Sequence, residues 1–289
     1  MSRFQNKRKK TNRMQNQKSL QDQNKNQNNN FDPTMMTFSG HLEVLRQMLF
    51  RIVVVVFVSS ILVFYFKDKT FEIILAPSDS NFVTYKTLES LLDKIDISFQ
   101  FDNFEVTLIT TELSSQFMTH FSTSLYLGLL ITSPYIFCEI IRFVTPALYE
   151  NEKKNSWILV TSMYFLFIIG MAINYFIIFP FSVRFLGTYS VASKVHSTIT
   201  LDSYMDTFTS LSLVMGFIFL LPIISYILAI NDIVCYDKIS GYRKHAIIVI
   251  ATIAAVITPP DVMTLLLVAI PLYILFEISL LIVKNFHRN

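Results

Sequence analysis

The sequence predicts an all-α, polytopic membrane protein with six transmembrane helices, and three observations carry that expectation. The 289-residue chain is 52% hydrophobic and only 16% charged, and several of its apolar runs reach the roughly 18 residues that a span needs. No stretch alternates as a lipid-facing barrel strand does, and helices and closed barrels are the folds that satisfy a backbone in hydrocarbon. Basic residues also divide unevenly between alternate loops. With six spans, 18 Lys and Arg fall on one side and 6 on the other. Loops rich in Lys and Arg stay in the cytoplasm or matrix, so both termini are expected there.

Residues 1–36, with "NKRKKTNRMQNQK" and "NQNNN", are polar and basic. They hold too little apolar surface to offset the entropy of ordering, so a disordered tail is expected. It has neither the apolar stretch nor the cleavage site of a secretory signal. A matrix-targeting role is the alternative to a solvated tail on the positive side. Residues 37–286 make up the six-helix domain. In "FSGHLEVLRQMLFR", Ser39 reads as an N-cap, and Leu42, Leu45, Leu49 and Ile52 form one stripe. An amphipathic foot therefore enters the bilayer near Arg51, and span 1 covers residues 50–66.

A polar segment over 67–116 follows, with Pro77 as a structural candidate. Its "LESLLDKI" puts Leu88, Leu91, Leu92 and Ile95 on one face of a short surface helix. Span 2 is 117–141, kinked at Pro134. Span 3 is 157–179, from an interfacial Trp157 to Phe179 ahead of Pro180. Span 4 is 208–230. The fifth run, 246–257, covers about 18 Å at 1.5 Å per residue, against a hydrocarbon core of about 30 Å. Loop charge nevertheless places it across the bilayer, which local thinning accommodates. Span 6 is 262–283.

Between the last two spans, "ITPPDVMTLLLVAIPLYILFE" gathers residues that a span seldom carries. Pro259 and Pro260 stop the helix at Thr258. Asp261 is placed to N-cap the next helix, and Pro271 is expected to bend it. Glu277 lies about 24 Å further along, near the inner interface. There it serves either as a solvated helix end or as a protein-facing contact.

Cys138 and Cys235 stand alone, and the five histidines, His41, His120, His196, His245 and His287, show no ligand spacing. No disulfide framework, metal, cofactor or nucleic-acid partner is expected. With no nucleophile–base pair and no phosphate-cradling loop, neither is an enzyme.

Four separated stretches resemble one family, TatC, the multispanning core of the twin-arginine protein translocase. "HLEVLR" (41–46) is similar to its N-terminal signature and "FVTPALYENEKK" (143–154) to its first cytoplasmic loop. "FIIGMAINYFIIFP" (167–180) resembles its third span, and "VITPPDVMTLLLVAIPLYILFE" (256–277) its last turn. The resemblance covers roughly residues 38–284. It implies a receptor for signal peptides bearing two consecutive arginines, and a scaffold that moves folded proteins across the membrane on the proton gradient. The implied partners are twin-arginine precursors, TatA-type single-span proteins, membrane lipid, and further subunits of a homo- or hetero-oligomer.

Paired guanidinium groups call for carboxylates, which accept planar bidentate bonds. The candidates on the basic side are Glu152, which matches the family's loop glutamate, with Glu150 beside it and Pro146 shaping the loop. Glu43 is the third, with Arg46 one turn away as either an intrahelical partner or a part of the site. Two positions depart from the family pattern. Val44 stands where the N-terminal signature has its glutamate, and Leu220 stands where span 4 of bacterial members often has one. The second departure, the short C-terminal tail and the Phe-, Ile- and Asn-rich composition favour an organelle-encoded member in the mitochondrial inner membrane. A bacterial plasma membrane or a plastid thylakoid membrane is the alternative. Two other functions compete: a small-solute or proton transporter, although the cores of spans 1, 3 and 4 carry no charge, and a respiratory-complex subunit.

Overall fold

In the computed structural model, residues 38–94, 106–144, 156–190, 192, 198–230, 236–259 and 261–286 are described. The predicted tail lies outside them. The chain divides into two units, Met1–Phe50 and Arg51–Asn289. Helix α1 (Phe38–Tyr65) begins in the first unit. It already includes Ser39. In its second half Val53, Phe57, Ile61 and Leu62 are all more than half exposed. So wide an apolar surface would be costly in water and suits contact with lipid tails.

Two prolines explain how the segment after α1 is fastened. After α1 come α2 (Lys67–Leu75), a 3-10 turn (Ala76–Ser78) and α3 (Val83–Asp93). Pro77 has no N–H to return to the carbonyl of Ile73, four residues back. That carbonyl instead accepts from the Tyr175 hydroxyl at 2.7 Å, and the Ile74 carbonyl accepts from Tyr204 at 2.9 Å. Pro180 orphans the Phe176 carbonyl in the same way, and Thr84 of α3 donates to it at 2.6 Å.

Pro180 also corrects the expected end of span 3. Helix α5 (Ser156–Ile173) passes into a π-helical turn (Asn174–Ile178) and on into α6 (Phe179–Thr188). The wider turn makes room for the proline ring, and Pro180 falls in the first turn of α6, where a missing N–H costs little. The long apolar segment therefore runs Trp157–Thr188. Tyr85 of α3 donates to the Pro180 carbonyl at 2.7 Å, and burial pushes its phenol above the ordinary tyrosine range. Tyr85→Phe is expected to cost about 1–2 kcal/mol, measured as a lower thermal midpoint of the detergent-solubilised chain.

Helix α4 (Ser115–Val144) contains Pro134 and continues through it. The fourth apolar segment begins at Leu201, seven residues ahead of the expected 208. It comprises α7 (Leu201–Ile218) and α8 (Leu221–Ile230), with a break at Phe219 and Leu220 just ahead of Pro222. The short α9 (Tyr236–Gly241), then α10 (Arg243–Ile257) and α11 (Val262–Phe286), complete the order. On the surface helix α3, Tyr85 is buried, Leu88 and Leu92 are half-buried and Leu91 is exposed; Ile95 lies outside the described residues. One small departure from an all-α reading is a parallel bridge of β1 (Leu108–Ile109) with β2 (Ile199–Thr200).

Among the described residues, five helical segments are long and apolar enough to cross a membrane, and α10 is not among them. Its 15 residues span about 22 Å.

Within the second unit the helices close on small residues. A Cβ on Gly128 would fall 2.1 Å from Ser60 Oγ, so α4 crosses α1 there at minimal distance. Gly216 lies under the Phe167 ring, and a Cβ on Gly170 would strike the Met215 carbonyl at 2.5 Å, so α5 and α7 approach in the same way. The aromatic core of Phe137, Phe167, Phe179, Tyr204 and Phe208 is built around these crossings.

Candidate functional site

On the foot of α1, Glu43 Oε1 accepts from Arg46 at 2.6 Å and from Gln47 at 3.1 Å. One-turn spacing makes both bonds local. The carboxylate is 48% and the guanidinium 77% exposed, so the pair is worth about 0.5 kcal/mol at most. A guanidinium from outside could replace Arg46 at little cost. The other three candidates, Pro146, Glu150 and Glu152, lie outside the described residues, between the end of α4 and the start of α5.

The C-terminal end of α4 carries a carboxylate that the sequence alone did not single out. Glu139 is 4% exposed, and its two oxygens are held by two arginines. Arg51 of α1 donates to Oε2 at 2.7 Å, and Arg142, one turn along α4, approaches Oε1 at 3.5 Å. The Tyr135 hydroxyl stands beside both Arg51 and Glu139. A buried carboxylate persists only when paired, and here the pair joins α1 to α4 five residues before the end of α4. The signal was present: Glu139 is the one acidic residue within 117–141, and a carboxylate inside a span calls for a partner.

At the opposite end of α4, Asp202 accepts from the hydroxyls of Ser115 and Thr119. Thr200 caps α7 by accepting from the Ser203 N–H at 3.2 Å. Helix α4 is thus tied at both ends, to α1 by an ion pair and to α7 by hydroxyl–carboxylate bonds.

In the last hairpin, Asp261 Oδ1 accepts from the Thr264 N–H at 2.6 Å, an N-cap geometry. Thr258 takes an extended backbone at the end of α10, as a residue before proline does. Pro260 lies outside the described residues, and Pro271 sits inside α11. Glu277 makes a protein contact while its side chain stays 31% exposed. It accepts from Arg243 at 3.1 Å and from Tyr273 at 3.1 Å, fastening the start of α10 to α11. Pro77 lies in the 3-10 turn and Pro134 inside α4. Among the described residues no group of three His, Cys, Asp or Glu could hold a metal ion.

The family model for the Sec-independent protein translocase protein TatC matches residues 40–271. The chain belongs to the TatC family. A TatC of Blattabacterium from Periplaneta americana is 32% identical over 251 residues, covering 86% of this chain and 94% of that one. A TatC of Helicobacter pylori is 30% identical over 247 residues, with coverages of 84% and 86%. A crystal structure of the twin arginine translocase receptor TatC superposes with a TM-score of 0.69 at 30% identity, covering 86% of this chain and 99% of that one. The chain is therefore an integral membrane component of a protein translocase, and membership of this family makes it no enzyme in the usual sense. Leu220, which the resemblance sets where bacterial members often carry a span-4 glutamate, is 5% exposed and packed in the apolar core. The core closes there as hydrocarbon, with no acid to solvate.

Proposed function

We propose that this TatC chain is a twin-arginine signal-peptide receptor and the scaffold on which folded proteins cross the membrane, with the proton gradient as the driving force. The observation that carries the reading is the likeness, over 86% of the chain, to a crystal structure of a twin arginine translocase receptor. The exposed Glu43 carboxylate supports it, because its present partners are local and weak. The binding set is Glu152, Glu43 and Glu150, with Arg46 as the group displaced and Pro146 shaping the loop. A carboxylate accepts two parallel bonds from one guanidinium, which an ammonium cannot reproduce.

In this reading α10 is a sixth, short span. The Arg243–Glu277 bond holds its first turn beside the second half of α11, and a thinned bilayer accommodates about 22 Å of helix. Both termini then lie on the basic side. The partners are twin-arginine precursors, TatA-type single-span proteins, lipid and further subunits. Composition supports the mitochondrial inner membrane, whereas the bacterial relatives support a bacterial plasma membrane; fractionation of the source cells decides between them.

The test is site-specific photo-crosslinking from positions 43 and 152 to a twin-arginine precursor. Crosslinks that disappear with the twin-lysine precursor are expected. Equal crosslinking of both precursors, or none of either, would overturn the assignment.

A further inference from the structure

Glu139 and its arginines reproduce, within one chain, the chemistry proposed for the docking site: a carboxylate that holds two guanidinium groups. Its oxygens are unequally served. Oε2 has a short, charge-assisted bond from Arg51 at 2.7 Å. Oε1 has Arg142 at 3.5 Å, at the outer limit of a hydrogen bond, and the Tyr135 hydroxyl also bonds to this carboxylate. Arg142 is 77% exposed, so holding its long side chain in place costs rotamer entropy for a weak contact. Of the two cations on this buried anion, one is thus held tightly and the other loosely. The loosely held one is an arginine that water can already reach. Arg142 is also eight residues before Glu150 and ten before Glu152, in the last turn of α4 ahead of that loop.

The geometry points to Glu139 as a guanidinium-exchange position, at which Arg142 occupies Oε1 in the resting chain and an arginine of the incoming signal peptide takes its place. The inference rests on the receptor reading above. Arg51 stays on Oε2 throughout, so the carboxylate never loses its anchoring cation and α1 stays joined to α4. The arriving guanidinium gains a desolvated partner, where a charge-assisted bond is stronger than at a water-exposed loop acid. Arg142 gives up a contact worth little and returns its charge to water. Lysine lacks the planar fork and is more strongly hydrated, so exchange at Glu139 favours an arginine pair over a lysine pair. In the resting state Arg142 acts as an internal competitor, lowering apparent affinity until a true guanidinium ligand arrives.

The test uses the full chain in lipid nanodiscs, with fluorescently labelled twin-arginine and twin-lysine signal peptides. Arg142→Gln removes the competitor and is expected to tighten twin-arginine binding roughly 3- to 10-fold without altering twin-lysine binding. Glu139→Gln is expected to weaken twin-arginine binding by about tenfold or more. Arg142→Gln made on top of Glu139→Gln should then give no tightening. The inference is overturned if Arg142→Gln changes nothing, tightens both peptides alike, or tightens binding equally when residue 139 is glutamine. Arg142 is exposed, so its substitution tests the idea even where Glu139→Gln lowers stability, and a thermal midpoint recorded for each variant identifies that case. Failure of the receptor reading looks different: wild-type chain would then bind both peptides equally. If wild type discriminates and Glu152→Ala abolishes binding while the two α4 substitutions do nothing, the exchange position alone falls.

Discussion

Gly170→Val will destabilise this protein by about 3 kcal/mol or more, because a Cβ at that point has nowhere to go. It would meet the Met215 backbone carbonyl at 2.5 Å and the Phe219 side chain at 2.9 Å. A side chain can turn aside, but a helix backbone cannot, so α5 and α7 must separate. Separation opens the contacts of Phe167 with Phe137 and Phe217 and the buried bond from Asn174 to Ser212 at 2.7 Å. For a chain of this size the thermal midpoint should fall by about 6–12 °C. Gly241→Ala is the control, since nothing lies within 4 Å of its Cβ position. Its midpoint should stay within about 2 °C of wild type. Equal midpoints for the two variants would show that the α5–α7 crossing is looser than the geometry requires.

Glu152→Ala is expected to weaken twin-arginine peptide binding roughly 30- to 100-fold, the loss of one bidentate charge-assisted contact of about 2–3 kcal/mol. Glu152→Asp should recover part of the affinity and Glu152→Gln little of it, because the charge and its geometry both count. Glu43→Gln should have a smaller effect, since its carboxylate must first release Arg46 and Gln47. Peptide titration into nanodiscs carrying the full chain measures all four. If Glu43→Gln proves the more damaging, the weight of recognition lies on the foot of α1 and the one-residue offset at Val44 is compensated by the register of that helix.

Much of the helical plan was legible from apolar run length, because hydrocarbon forces each crossing segment to satisfy its own backbone. The stop at Thr258 and the N-cap at Asp261 were legible too, since proline and a capping carboxylate act within one turn of themselves. Even an offset such as Glu43 to Arg46 could be read as a one-turn pair. Where reading failed, the deciding partner was far away in the chain. Pro180 looked like an end to span 3, yet the orphaned Phe176 carbonyl finds Thr84, 92 residues distant, and the helix continues.

The sequence by itself determined a membrane-embedded helical chain, its uneven loop charge and its likeness to TatC, because those properties reside in composition and short-range spacing. Tertiary structure alone decided that Glu139 is gripped by Arg51, 88 residues away, and that Glu277 pairs with Arg243. It also decided that glycines, and not side-chain interlock, set how near α5 comes to α7. A buried charge is tolerated only where folding delivers its counter-charge, and no local pattern along the chain encodes which distant arginine that will be.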